Sequence, residues 1–279
     1  MEVLEGKSVS SKIEENFAKR IELLKENGIK PYLVVLGISG NDASEVYIKR
    51  IEKNCLKNGI KFKLKLAKDE KEFIDNFNKV KKNRNVTGIM FQEPLPGNLS
   101  ELLNLVPANK DVEGLGILNK GKLFLNHDDA LIPCTSKAVI ETLDYYNIDV
   151  SGKKVVIVGR SEIVGKPLIP QLIKKNATVT ICHSKTNNLS SEIKEADIIV
   201  MAIGKAKFLK KDSVKKGAVV IDVGINFEDG KLCGDVDYDD VSKVCSAITP
   251  VPGGIGVVTN SLLIDNIIKS CELKKWNYF

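Results

Sequence analysis

Histidine is scarce in this chain: 279 residues contain two, His127 and His183. Cysteine offers no compensation, because the six thiols at positions 55, 134, 182, 233, 245 and 271 form no C-x-x-C pair. These shortages remove support for a zinc centre and for a Ser–His–Asp hydrolase, so no metal is expected. Nor do six thiols across so long a chain make a disulfide framework, and they read as reduced, buried side chains. No apolar run reaches the ~20 residues a membrane helix needs. The opening MEVLEGKSVSSKIEENF is acidic and polar, unlike a signal peptide, so no membrane partner and a cytoplasmic location are expected. Internal repeats and low-complexity tracts are also missing. The excess of positive charge is small, 42 basic against 36 acidic residues, and the lysines are scattered. That layout favours solubility and mild attraction to anionic small molecules, with no nucleic-acid groove.

What is present is most informative from Lys153 to Pro167, KKVVIVGRSEIVGKP. The β-branched run Val155–Val158 ends at Gly159, and a helical pattern opens at Val164 and Gly165 with Pro167 in its first turn. This is the strand–turn–helix opening of a dinucleotide-binding βαβ unit. A glycine at the tip allows close approach of a pyrophosphate, and the exposed N–H groups of the helix start attract it. The G-x-G-x-x-G fingerprint is incomplete, since Ser161 stands at the second glycine and Gly165 comes one residue late. A βα turn that binds no phosphate therefore stays open on these residues alone. The next strand, Ala177–Ile181, ends in Cys182-His183-Ser184-Lys185-Thr186. An NAD site usually carries a carboxylate there for the ribose. Hydroxyl and lysine groups at that place, with Arg160 before them, suit the extra 2′-phosphate of NADP. A solvated basic loop is the alternative.

The pattern predicts an amphipathic helix over 9–27, a strand over 31–36 and a helix over 43–58. Further strands fall at 61–66 and 86–91, with a helix from Asp69 to about Lys82 between them. Residues 92–132, rich in Pro, Gly and Asn, read as loops. A helix follows over 135–146. Strands at 155–158, 177–181, 197–201 and 218–222, with a possible short one at 247–248, alternate with helices. The last helix starts near Ile255. This alternation predicts an α/β fold with mainly parallel sheet. The expected domains are 1–132, with the helix 255–279 packing back on it, and 133–254.

Five blocks lie in order: Ala43-Ser44-x-x-Tyr47, Gln92-x-Pro94-Leu95-Pro96, Lys110-Asp111-Val112-x-Gly114, Gly159-Arg160-Ser161 to Pro167, and Pro250-Val251-Pro252-Gly253-Gly254-Ile255-Gly256. Pro133-Cys134-Thr135 and Gly234-Asp235-Val236 sit between them. The ordered set, over essentially the whole chain, resembles the methylenetetrahydrofolate dehydrogenase/methenyltetrahydrofolate cyclohydrolase family. The resemblance implies an N-terminal folate-binding domain, a Rossmann-type NADP domain and a homodimer. It implies that Gly159, Arg160, Ser161, Ile163, Val164, Gly165, His183, Ser184 and Ile225 line the NADP site. Tyr47, Gln92, Asp111, Glu113, Pro250, Gly253 and Gly254 would meet a tetrahydrofolate derivative, with Tyr47, Gln92 and Asp111 as the catalytic set.

The departures from the family pattern cluster. The family's Tyr-x-x-x-Lys carries the lysine of the cyclohydrolase step, and position 51 here is isoleucine. At ~100° per residue, position 51 lies ~40° from Tyr47, whereas Lys49 and Lys53 point elsewhere. Arg50 lies ~60° off, but a guanidinium stays protonated and shuttles protons poorly. Glu113 stands where the family has aspartate, Glu93 follows Gln92, Ser136 replaces a proline, and Val257 another. Hydride transfer needs no general base, whereas hydrolysis of the methenyl group does. The expectation is a dehydrogenase whose cyclohydrolase step is weak or lost. A dehydrogenase for another reduced pterin and a non-catalytic dinucleotide-binding protein are the alternatives.

Overall fold

The computed structural model describes residues 1–40 and 45–276. Strand β1 (Glu2–Val3) leads into α1 (Gly6–Glu26), β2 (Tyr32–Ile38), α2 (Glu45–Lys57), β3 (Lys61–Ala67), α3 (Glu70–Lys82) and β4 (Gly88–Phe91). The segment expected to be loops holds two 3-10 turns, Leu99–Leu105 and Ala108–Lys110, and the short helix α4 (Ile117–Phe124). Then come α5 (Cys134–Tyr145), β5 (Lys154–Val158), α6 (Gly165–Lys174), β6 (Thr178–Cys182), α7 (Leu189–Lys194), β7 (Ile198–Met201) and β8 (Val219–Asp222). A hairpin of β9 (Asn226–Glu228) and β10 (Lys231–Cys233) precedes α8 (Tyr238–Val241), β11 (Ala247–Ile248) and α9 (Ile255–Trp276).

The chain divides into two compact units. The first holds Met1–Lys12, Phe124–Asn126 and Pro133–Leu262; the second holds Ile13–Leu123, His127–Ile132 and the chain from Leu263 on. This differs from the expected 1–132 and 133–254. Residues 1–12 join the first unit because β1 pairs in parallel with β11, Glu2 with Ala247 and Val3 with Ile248. A two-residue strand has no periodicity of its own to reveal it.

The first unit is built on a six-stranded parallel sheet in the order β1-β11-β8-β7-β5-β6. Its inner strands read as continuous apolar runs, KVVIV in β5 and IIVM in β7, because helices cover both faces of such a sheet. Val156, Val158, Ile199, Met201, Val220 and Ile248 form part of one buried cluster. The strand order reverses at β5, with β6 on one side and β7 on the other. Ligands of doubly wound sheets bind at the carboxyl ends of the strands flanking such a reversal.

The second unit holds a parallel sheet ordered β3-β2-β4. Its central strand β2 is buried along five consecutive residues, whereas edge strand β3 keeps Lys61 and Lys63 exposed. Exposed lysines on an edge discourage pairing with another sheet. Asp69 caps α3, accepting the Glu72 N–H at 2.8 Å. Phe73 and Phe77 then pack edge-on against Phe91, with ring centroids 5.2 and 5.8 Å apart. The later part of α9 belongs to this unit: Asn266 Nδ2 donates to Val112 O (2.8 Å) and Ile132 O (2.9 Å). Arg20 on α1 grips Glu272 through two hydrogen bonds and also meets Asp265, which raises its pKa further. No helix among the described residues is long and apolar enough to cross a membrane.

Candidate functional site

The turn after β5 is held by two close backbone approaches. A Cβ at Gly159, whose φ is +128°, would lie 2.1 Å from Ala202 O at the end of β7. A Cβ at Gly165 would lie 2.0 Å from Gly159 O. Neither position admits a side chain, so the missing middle glycine of the fingerprint is the one that packing does not demand. Ser161 stands there, exposed, and its Oγ accepts the Val164 N–H at 3.1 Å. Val164 occupies the N-cap of α6 and supplies no side-chain acceptor to the first turn. Arg160 and Ile163 are exposed, the latter by 49%.

At the end of β6 the backbone closes into a tight turn. Thr186 Oγ1 accepts the His183 N–H at 2.8 Å, and His183 Nδ1 accepts the Lys185 N–H at 3.1 Å. Ser184 and Lys185 are left exposed. No carboxylate occupies this strand end, the place where an NAD ribose would need one. Ser161 O also accepts the Lys166 N–H at 3.1 Å, so the side-chain-free glycines and the hydroxyl–cation rim are the features that fit a dinucleotide carrying a 2′-phosphate. Ile225, 64% exposed, lies beyond β8, just before the β9–β10 hairpin.

Sequence reasoning noticed Gly234-Asp235-Val236 but gave it no role. Asp235, fully buried, accepts three successive amides, Ile203 (2.6 Å), Gly204 (3.1 Å) and Lys205 (2.8 Å), and Asn226 Nδ2 at 2.9 Å. These are the residues after β7, at the reversal of strand order. Asp222, missed altogether, accepts Gly224 (2.9 Å), Asp235 (3.0 Å) and Val236 (2.9 Å). Burial pushes its pKa up to about 6 against those three amides. A Cβ at Gly234 would sit 1.8 Å from Asp222 Oδ2. Thr249 Oγ1 accepts the Asp222 N–H at 2.7 Å and ties β8 to the Pro250–Gly254 loop. That loop lies in the first unit, with Gly253 O accepting the Gly6 N–H at 2.8 Å.

In the second unit, α2 presents Ile48, Ile51 and Cys55 as its buried stripe. Ile51 is 2% exposed, and Tyr47 is 46% exposed. The ~40° between them is enough to straddle the stripe's edge. No cation of α2 shares the stripe: Lys49 pairs with Glu45 at 2.7 Å, and Arg50 and Lys53 are exposed. The Ala43-Ser44 part of the first block lies outside the described residues.

Gln92, directly after β4, is 5% exposed, and its N–H donates to Leu36 O at 2.8 Å. A Cβ at Gly37 would sit 2.5 Å from Gln92 Oε1, so Gly37 makes the room for this amide. Asp111 is 2% exposed, and its carboxylate is taken up by its own loop. Leu115 N donates to Oδ1 (3.2 Å), while Gly116 N (2.8 Å) and Asn119 Nδ2 (2.9 Å) donate to Oδ2. Burial raises its pKa, and these donors oppose the rise. Glu113, half-buried as a residue, has its carboxyl pKa pushed up to about 8. Burial is the main cause, with the Asp111 and Glu93 charges adding and the Phe91 N–H opposing. Glu93 is exposed and accepts Leu95 N (2.8 Å) and Ser100 Oγ (2.9 Å).

Ser136, where the resemblance leads one to expect proline, is fully buried. Its Oγ donates to Pro133 O (3.0 Å) and accepts from Gln171 Nε2 (2.9 Å), joining α5 to α6. Nothing in the structure explains Val257.

Comparison with known proteins covers both units. The family profile "Tetrahydrofolate dehydrogenase/cyclohydrolase, catalytic domain" matches residues 4–113, and the profile "Tetrahydrofolate dehydrogenase/cyclohydrolase, NAD(P)-binding domain" matches residues 133–275. The bifunctional protein FolD of Bacillus velezensis is 44% identical over 276 residues, covering 97% of each chain. Among solved structures, the bifunctional methylenetetrahydrofolate dehydrogenase/cyclohydrolase of Campylobacter jejuni superposes with a TM-score of 0.93 at 40% identity, covering 98% of this chain and 99% of its own. The Trypanosoma brucei enzyme, complexed with NADP cofactor and inhibitor, gives a TM-score of 0.88 at 29% identity, covering 98% of this chain and 97% of its own. With both halves matched in order and nearly end to end, the chain belongs to the tetrahydrofolate dehydrogenase/cyclohydrolase family.

Proposed function

We propose that this protein is an NADP-dependent 5,10-methylenetetrahydrofolate dehydrogenase that has lost most of its methenyltetrahydrofolate cyclohydrolase activity. Family membership supports the first half, and the buried isoleucine at position 51 carries the second.

Bound NADP would supply the acceptor for a hydride from the methylene bridge. Gly159 and Gly165 leave the backbone bare for its pyrophosphate, and Arg160, Ser161 and Ser184 receive the 2′-phosphate side. Ile163, Val164, His183 and Ile225 line the remainder. On the folate side, Tyr47 supports the pterin face and Gln92 borders the reacting end; the Pro250–Gly254 loop, including Gly253, is the part of the first unit that the family resemblance assigns to folate. Asp111 is assigned to holding the loop that carries Glu113, because its oxygens already serve Leu115, Gly116 and Asn119. Glu113 then accepts the pterin amino and ring N–H groups. The oxidation moves no proton, so orientation and exclusion of water suffice. Hydrolysis instead needs a group that takes a proton from water and returns one to nitrogen, worth ~10²–10⁴-fold. An isoleucine carries none, and the other cations of α2 lie off its buried stripe.

The homodimer and the cytoplasmic location are likewise proposals, drawn from the family. The deciding experiment follows methenyl absorbance with purified protein in both directions. NADP-dependent formation of the methenyl product without enzymatic loss of added methenyl substrate is expected. Efficient hydrolysis by the unaltered chain refutes the claim about position 51, and absence of any oxidation refutes the dehydrogenase.

A further inference from the structure

The strands of the second unit are parallel, so its sheet has two chemically distinct edges. Gln92 follows the carboxyl end of β4. At the opposite, amino-terminal edge lies a cavity of about 1000 Å³ that no step proposed above uses. Its walls come from the residues entering β2, β3 and β4 and from α9. The seven residues of β2, at ~3.3 Å each, separate it from the Gln92 end. The volume is at the upper end of small-molecule sites, ~300–1,000 Å³.

The lining is one-sided in charge. Lys25, Lys30, Lys61 and Lys274 face it, and no acidic side chain among the described residues lines it. Lys25 is partnered by Glu22 at 2.8 Å. The Lys61 ammonium lies 4.5 Å from the centroid of the Tyr32 ring, and Lys274 donates to Arg84 O, so both rest on neutral partners. Lys110 nearby donates to Asn83 O at 2.9 Å, putting two ammonium groups on consecutive carbonyls of the α3–β4 turn. Its pKa is lowered, first by burial and then by the Lys274 charge, which marks positive potential left without a counter-charge. Beside the ammonium groups, Ile29, Pro31 and the Tyr32 ring supply flat apolar surface. Thr87 Oγ1 fixes the entry of β2, accepting Tyr32 N at 2.8 Å and donating to Tyr32 O at 3.2 Å.

We propose that this cavity is a second ligand site, built for a planar organic anion of charge two or more, such as an aryl phosphate or a ring polycarboxylate. The ring lies against Tyr32 and the apolar wall, and the anionic groups meet Lys30, Lys61 and Lys274. Point-charge ammoniums on flexible stems accept either phosphate or carboxylate. The site is independent of the dehydrogenase reading, since it shares no residue with either proposed half of that machinery.

The test is calorimetric titration of the full-length protein with 1-naphthyl phosphate, in saturating NADP to fill the dinucleotide site. We expect saturable 1:1 binding that weakens as salt is raised. Lys30→Glu combined with Lys61→Glu should weaken it by at least about tenfold, since two charge-assisted contacts become repulsions. Lys243→Glu, the same change at an exposed site in the first unit, should leave it within about twofold. Cooperative urea melts matching the parent's report that each variant is folded, and Lys30→Ala with Lys61→Ala replaces the double reversal if that variant does not fold. No heat of binding, binding abolished by NADP, or binding indifferent to the Lys30 and Lys61 changes each overturns the proposal.

Discussion

Restoring an amine at position 51 tests the central reading most directly, because structure and chemistry then predict opposite costs and gains. Ile51 is 2% exposed, among the most buried side chains of its unit. Ile51→Lys gives up part of the ~1.5–3 kcal/mol that burying a large aliphatic side chain contributes, though the lysine stem refills much of the space. The larger cost is the ammonium. Buried lysines fall by up to ~3–5 pKa units, and a fall of ~3 units corresponds to ~4 kcal/mol. The folded pKa is then below the unfolded value of ~10.4, so the unfolded chain binds more protons across that interval. Stability of Ile51→Lys relative to the parent should therefore be poorest near neutrality and recover as pH rises towards ~10. Paired urea melts at pH 7 and pH 10 measure this difference, with the parent correcting for the other lysines. Over the same interval the neutral amine becomes able to take a proton from water. Hydrolysis of the methenyl substrate should rise by ~10²–10⁴-fold over the parent. A variant that still oxidises the methylene substrate, gains no hydrolysis and shows the parent's pH profile of stability would refute the reasoning. Its amine would then reach solvent, and position 51 would not border the reacting carbon.

Other perturbations follow from the same geometry. Gly165→Ala sets a methyl 2.0 Å from Gly159 O, so chemical melts should show a loss of ~3 kcal/mol or more and titration a weaker NADP affinity. Arg160→Ala should raise the KM for NADP several-fold while leaving that for NAD nearly unchanged; equal effects on both would remove Arg160 from the 2′-phosphate. Glu113, with its pKa near 8, is protonated over much of the neutral range, and a neutral carboxyl keeps one acceptor oxygen but does not take the pterin amino and ring N–H groups together as the carboxylate does. The KM for the folate substrate should thus fall as pH rises from 7 to 9, a trend that Glu113→Gln abolishes. The raised pKa also means that ionisation costs stability between ~4.5 and ~8, so Glu113→Gln should gain stability over the parent as pH climbs through that window. Ser136→Ala removes the bond to Gln171 inside the α5–α6 contact and should cost ~1–2 kcal/mol in urea melts.

Much of the fold was legible because parallel strands announce themselves as β-branched runs. Val155–Val158, Leu33–Leu36 and the glycines that end such runs placed β5, β2 and the dinucleotide turn within a residue or two. The loop-like reading of 92–132 overlooked α4, a helix of eight residues whose approach is held by Asp111, which accepts the amides of Leu115 and Gly116, and whose first N–H is met by Asn104 from thirteen residues away. That is a tertiary cause invisible to periodicity. The β9–β10 hairpin was different, since its signal was present: Asp229-Gly230 is a strong type I′ turn dipeptide, and both residues take positive φ. At the folate end, the chemical identity of position 51 was plain from residue spacing, whereas its depth relative to Tyr47 was not. A helix wheel gives angles, and the neighbouring elements decide where the buried stripe ends.

Asp222, Gly234 and Asp235 have a consequence for how this protein can change. Asparagine at 222 would turn one acceptor into a donor facing amides that also donate, and any side chain at 234 would strike the 222 carboxylate. Asparagine at 235 would meet the same conflict with Ile203, Gly204 and Lys205. Positions 222 and 234 are thus locked to each other as a single heritable choice, and position 235 is held separately by the amides after β7, while the exposed rim at Ser184 and Lys185 stays free to be retuned.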